Sequence, residues 1–146
     1  MDIRKLDDDI AVAPQISVED VAEAARLGFR TIVANRPDRE EPGQPAMADI
    51  EAAARKHGLE WVYLPVESGN IRDSDIDRFA PVLEEAARPI LAFCRSGTRC
   101  TVLWALSSAR KHPIEPLLMK AANAGYNLAG AKPRMEQQAQ EHRGEA

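Results

Sequence analysis

Four short apolar runs punctuate this chain: IAVA from Ile10, RTIVA from Arg30, EWVYL from Glu60 and PILAF from Pro89. Each is short for a helix and carries the branched or aromatic side chains that suit a pleated, buried surface. The segments between them have helical punctuation. Ser17 with Asp20 forms a capping-box signature ahead of VEDVAEAARL, and Gly28 supplies a stop. A second helix is expected from about Ala46 to His57, ending at Gly58. A third is expected from Ser74, with Asp77 completing its cap, to about Ala87. TVLWALSSARK and IEPLLMKAANA follow the last run as further helices, and AKPRMEQQAQEHRGEA reads as a terminal helix with a frayed end over 130–146.

Strands alternating with helices imply parallel strands joined by right-handed crossovers. The expected fold is an α/β three-layer sandwich with a short, mainly parallel central sheet flanked by helices. Ile10 to Ala13 is expected at its edge, with Arg30 to Ala34 and Glu60 to Leu64 in the core. The 146 residues suffice for one domain, 1–146, with a core of its own. In a parallel sheet the strands' C-terminal ends share one edge, where open α/β folds bind ligands. Three segments should meet there: Asn35-Arg36, Pro65 to Gly69, and the loop after PILAF.

That last loop, within FCRSGTRC, carries the densest chemistry in the chain. A thiol becomes nucleophilic as the thiolate, which helix N-termini and arginines stabilise. Cys94 ends a strand and a helix begins near Arg99. The N–H groups of Arg95, Ser96, Gly97, Thr98 and Arg99 can therefore line an anion nest, with Gly97 supplying the backbone freedom. Arg99 adds a fork of donors for an oxyanion, while Arg95 can point outward as a surface charge. The competing reading makes Cys94 a buried structural cysteine and Gly97 an ordinary turn residue. Asn35 and Arg36 are accessory candidates. Arg36 either meets a second anionic group of a substrate or pairs with Asp38 or Glu41 in its own loop. Trp104, Val102, Leu103 and Leu106 read as core.

Composition narrows the function classes. A net charge of -4 argues against binding nucleic acid by phosphate neutralisation. No apolar run is long enough to span a bilayer, and MDIRKLDDD lacks the apolar centre of an export signal. With two cysteines, a reducing cytoplasm is the expected location. His57, His112 and His142 are scattered, so neither a metal nor another cofactor is expected. The partner implied is a small anionic substrate or a phosphorylated protein.

RTIVANRPDREEPGQP, HGLEWVYLPVESG and PILAFCRSGTR together resemble the bacterial phosphatase-like domain found alone or fused to metallo-β-lactamase-type proteins, the phosphatase-like domain of beta-lactamase hydrolase-like proteins. That family is similar in fold to dual-specificity and protein-tyrosine-phosphatase-like enzymes. The resemblance spans about Asp9 to Leu128. It implies that Cys94 attacks a phosphate ester, phosphotyrosine among the options, to give a cysteinyl-phosphate, with Arg99 and the backbone from Arg95 to Arg99 holding the phosphoryl oxygens. It also implies a carboxylic acid on a neighbouring loop. Glu67 is preferred, with Asp73 and Asp75 as alternatives; for those two, stabilising the next helix N-terminus is the competing role.

The chain departs from the family pattern at three points. Cys94 and Arg99 are separated by one residue fewer than is usual, Phe93 replaces the usual histidine, and Cys100 replaces the Ser or Thr that assists the leaving sulfur. CRSGTR also resembles the active loop of rhodanese sulfurtransferases, so a persulfide carried on Cys94 is the alternative chemistry, and an anion- or partner-binding module without turnover is the third. Cys100 is expected to form a reversible disulfide with Cys94, or else to pack as a small apolar residue.

Overall fold

The computed structural model describes residues 1–143. The five strands are β1 (Arg4–Lys5), β2 (Ile10–Ala13), β3 (Thr31–Ala34), β4 (Glu60–Tyr63) and β5 (Ile90–Phe93). The helices are α1 (Val18–Arg26), α2 (Met47–Lys56), α3 (Asp73–Glu85), α4 (Thr98–Ser108), α5 (Ile114–Asn123) and α6 (Lys132–Arg143). The strands lie in the order β1-β2-β5-β3-β4, with every pair parallel except β1–β2.

The period of two along each strand builds the layers. Ala11, Ala13, Ile32, Ala34, Leu91 and Phe93 share one cluster with Val21 and Ala24 of α1 and Met47, Ile50, Ala53 and Ala54 of α2. Their neighbours Ile10, Val12, Val33, Ile90 and Ala92 face the opposite layer of Ile76 and Phe79 from α3, Leu103, Trp104 and Leu106 from α4, Leu117 from α5 and Met135 from α6. The sheet is therefore covered on both faces, as parallel sheets require.

Ser17 caps α1 as expected: its hydroxyl accepts from the Asp20 N–H, and the Asp20 carboxylate accepts from the Ser17 N–H. Four boundaries need correction. Ile10–Ala13 is an interior strand, because Arg4–Lys5 pairs along its outer side; two charged residues carry no strand signal on their own. The edges are β1 on that side and β4 on the other, where Glu60 and Tyr63 are exposed. The α3 cap lies two residues earlier than Ser74 and Asp77 suggest, with the Arg72 N–H donating to the Asp75 carboxylate. Finally, the C-terminal segment is not frayed up to Arg143: Met135 and Gln138 are buried and Arg110 donates to Gln138. Gly144 to Ala146 lie outside the described residues.

Candidate active site

The C-terminal ends of β2, β3, β4 and β5 converge as parallel pairing requires, and the loop after β5 is held in place by its carbonyls. The Arg95 carbonyl accepts from the Gln15 N–H at 3.3 Å, that of Ser96 from the Tyr126 hydroxyl at 2.9 Å, and that of Gly97 from the Thr101 hydroxyl at 2.8 Å. With the carbonyls tied outward, the peptide N–H groups turn inward around Cys94. The Gly97 N–H reaches the Cys94 sulfur at 3.0 Å. Gly97 is obligatory here, because its φ is +89° and a Cβ would stand 2.2 Å from the Tyr126 hydroxyl.

Cys94 is fully buried at the floor of this loop. A hydrogen bond from the Cys100 thiol, together with the backbone N–H groups of Cys100, Ser96 and Gly97, pulls its pKa down to about 5 against the desolvation that opposes it. Cys100 titrates well above the ordinary thiol range because it is buried and already committed to the Cys94 sulfur. The two sulfurs thus divide the roles of acceptor and donor, and both cysteines are free thiols in this structure.

Arg99, at the second position of α4, is almost fully buried. Its Nη1 donates to Glu40 Oε2 at 2.7 Å and to the Val66 carbonyl at 2.9 Å, and its Nη2 donates to Glu40 Oε1 at 2.8 Å. Glu40 thus takes the end of the guanidinium. The Nε–H and the second Nη2–H, which lie side by side on the other edge, remain as a fork for an oxyanion. Two arginines hold Glu40 in turn, since Arg36 Nε also donates to it at 2.9 Å. This pair of guanidiniums, Arg99 foremost, lowers the Glu40 pKa to about 2.

The accessory candidates are thereby reassigned. Arg36 is buried and engaged by Glu40, Gln15 and, at 3.5 Å, Glu41, so its guanidinium is committed to the loop in this structure. Its shortest ion pair is with Glu40, and the pairing with Glu41 in its own loop is also made. Asn35 is also buried and joins neighbouring strand ends: its side-chain amide donates to the Leu64 carbonyl at 2.9 Å and its N–H to the Phe93 carbonyl.

A cavity of about 780 Å³ opens over the loop, walled by Ser68 to Ile71, Arg95, Ser96, Thr98, Arg99, Val102 and Arg134. Arg95 stands at its rim, two-thirds exposed and paired with Glu41 at 2.9 Å. The Ser96 and Thr98 hydroxyls are 3.0 Å apart. The carboxylate candidates separate from one another. Asp75 is buried as the α3 cap beside Arg78, and Asp73 is bound by Arg134. Neither is a wall residue. Glu67 is exposed on the loop that continues directly into the wall at Ser68, with Asn70 3.5 Å away.

Sequence reasoning missed Glu40, Gln15, Tyr126 and Arg134. Glu40 is one acid in a charged loop without periodicity, and Tyr126 follows a helix remote from Cys94 in the chain. Phe93 packs in the core on the α1–α2 face. Among the described residues there is no group of three His, Cys, Asp or Glu side chains suited to a metal ion, and no helix long and apolar enough to cross a membrane.

The similarities of the chain to known proteins bear on its family and fold. Residues 2–111 match the family model "Beta-lactamase hydrolase-like protein, phosphatase-like domain". A beta-lactamase hydrolase-like protein of Xylella fastidiosa (strain 9a5c) is 33% identical over 144 residues, covering 95% of this chain and 33% of that protein. One from Agrobacterium fabrum is 30% identical over 92% of this chain and 32% of its own length. The chain thus spans about a third of the length of the curated relatives it matches. Among solved structures, a phosphatase candidate from Neisseria meningitidis Z2491 superposes with a TM-score of 0.83 at 36% identity, covering 94% of this chain and 99% of that one. Tk-PTP in its active form gives 0.74 at 17% identity, over 96% and 97% of the two chains, a likeness of fold.

Proposed function

Since this chain belongs to the phosphatase-like domain family of beta-lactamase hydrolase-like proteins, we propose that it is a cysteine-dependent hydrolase of phosphate esters working through a cysteinyl-phosphate. The observation that carries this reading is the free Nε–Nη2 edge of Arg99 beside a sulfur whose pKa is lowered to about 5. The Cys94 thiolate attacks phosphorus and forms the S–P bond as the P–O bond to the leaving alcohol breaks. Arg99 and the inward N–H groups hold the phosphoryl oxygens as charge builds on them. Glu67 protonates the departing oxygen, then takes a proton from the water that attacks the cysteinyl-phosphate. That second displacement returns Cys94 as thiolate, and the Cys100 thiol stabilises it by the hydrogen bond it already makes. The substrate is a small phosphate ester or a phosphorylated protein side chain, phosphotyrosine included.

The walls of the cavity contain no carboxylate, and this favours one second reading. Sulfur transfer needs no general acid: thiosulfate would give Cys94 persulfide and sulfite, and cyanide would then leave as thiocyanate. Assaying p-nitrophenyl phosphate hydrolysis beside thiocyanate formation separates the two. Phosphate release that depends on Cys94 is expected. Cys94-dependent thiocyanate without phosphate release would replace the phosphatase reading, and silence in both assays would leave an anion-binding module.

Two predictions belong to this mechanism. Glu67→Gln should lower kcat for an alkyl or unactivated aryl phosphate by about 10²-fold, the typical share of a general acid. It should change p-nitrophenyl phosphate turnover much less, because nitrophenolate leaves without a proton. An equal loss on both substrates would remove Glu67 from the role. Mild hydrogen peroxide should convert Cys94 to a sulfenic acid, which condenses with the Cys100 thiol to a disulfide with loss of water. Peptide mass mapping should find the Cys94–Cys100 linkage, reversed by dithiothreitol. Direct passage of Cys94 to sulfinic acid with Cys100 free would refute it.

A further inference from the structure

The cavity over the loop is far larger than one phosphoryl group, and the charged side chains of its walls are all arginines, each paired with a carboxylate that lies outside the wall: Glu41, Glu40 or Asp73. Three guanidiniums, Arg95, Arg99 and Arg134, enter its walls with no carboxylate among the wall residues, although the chain as a whole carries a net charge of -4. The three are not equivalent. Arg99 lies at the floor beside Cys94 and serves the reacting group, while Arg95 swings at the rim with its side chain 67% exposed. Arg134 comes from α6 and is held in place. Its Nη1 donates to the Ile71 carbonyl at 2.6 Å and its Nη2 to Asp73 at 3.0 Å. These bonds use two of its five N–H donors, so its position is fixed while the others stay available. Asp73 is itself shared with Gln138 at 3.5 Å, so it does not belong to Arg134 alone.

From this geometry we infer that Arg134 is a specificity-determining residue that binds a second anionic group, so that the preferred substrate is a compact phosphate ester carrying a further phosphate or carboxylate. The inference rests on the reading of the Arg99 loop as the site of the first phosphate. Val102 and the Ile71 side of the wall give the short scaffold between the two anions an apolar surface. A cavity of about 780 Å³ falls within the range of roughly 300–1,000 Å³ usual for small-molecule sites. A preformed, anchored guanidinium loses little freedom on binding, which makes it a better anion receptor than a free surface arginine.

The matched probes are butane bisphosphate and butyl phosphate, which differ only in the second phosphate. Their binding to the Cys94→Ser protein is measured by calorimetry at physiological salt, alone and with Arg134→Gln or Arg134→Lys added. The bisphosphate should bind at least about tenfold more tightly than the monophosphate, one charge-assisted contact's worth. Arg134→Gln should bring that ratio close to one, and Arg134→Lys should restore part of it. Melting temperatures of both variants check that the anchoring of Ile71 survives, and the Lys variant, which keeps a donor there, carries the test if the Gln variant unfolds.

A preference that persists in Arg134→Gln, or one equally lost in Arg134→Lys and Arg134→Gln, would overturn the assignment. So would the absence of any preference in the parent protein. Parallel p-nitrophenyl phosphate turnover keeps the two claims apart. A Cys94-dependent turnover with no Arg134-dependent preference refutes this inference alone. An Arg134-dependent preference without turnover leaves the anion receptor standing and refutes the hydrolase reading.

Discussion

Cys94→Ser should lower kcat/KM for p-nitrophenyl phosphate by at least about 10⁴-fold, equivalent to about 5.5 kcal/mol of transition-state stabilisation. The size of the loss follows from two properties that serine does not share. A sulfur with its pKa near 5 is almost wholly ionised at neutral pH, whereas a hydroxyl in the same place stays protonated. Sulfur is also the more polarisable nucleophile and the better leaving group in the second displacement. The same origin fixes the pH profile. Because the pKa is lowered, the reactive form is lost as the pH falls through about 5, and kcat/KM should show its acid limb there. Removing the thiol donor with Cys100→Ala should move that limb to higher pH, by roughly one unit for one charge-assisted hydrogen bond. An acid limb near the ordinary thiol range in the parent protein, or undiminished turnover in Cys94→Ser, would sink the assignment of the nucleophile.

Glu40→Ala should be the most damaging substitution that touches neither sulfur nor phosphate. It leaves Arg99 and Arg36, with side chains 7% and 4% exposed, without their shared carboxylate. Stripping one partner from a buried pair costs about 3–5 kcal/mol; the lower end, about 3 kcal/mol, applies because a quarter of the Glu40 side chain meets solvent. Linkage leads to the same size. Glu40 titrates near 2 in the folded protein, below its usual 4.5, so its contribution is fully present above pH 4.5 and disappears as the pH falls towards 2. The difference corresponds to about 3 kcal/mol. Denaturant unfolding across pH should show that acid loss in the parent protein and its absence in Glu40→Gln. Activity should fall as well, by about 10- to 100-fold in kcat/KM, because an unanchored Arg99 no longer presents its free edge to the phosphoryl oxygens. A Glu40→Ala protein with unchanged stability and turnover would show that Arg99 needs no such anchor.

Much of the fold was legible in the chain because local rules and global packing coincide there. The alternating apolar residues of IAVA, TIVA and ILAF assign each side chain to one of two faces, and both faces are buried as that pattern demands. Ser17 with Asp20, and Gly97 ahead of Thr98, act within a few bonds of themselves, so their roles survive whatever surrounds them. The charged residues were less legible. Arg36 and Glu40 can pair with any of several neighbours in a loop without periodicity, and the α3 cap could sit at Arg72 or Ser74 on local chemistry alone.

The sequence by itself determined the layered α/β architecture, the single edge at which the strand ends meet and the thiolate loop that closes it, because periodicity, caps and a left-handed glycine are short-range physics. Only the tertiary structure decided what surrounds that loop. Glu40 lies 59 residues before Arg99, Tyr126 lies 30 after the Ser96 carbonyl it holds, and Arg134 lies 63 beyond Ile71. Contacts at such separations leave no local periodicity, since they arise when folding brings independent segments to the same edge of the sheet.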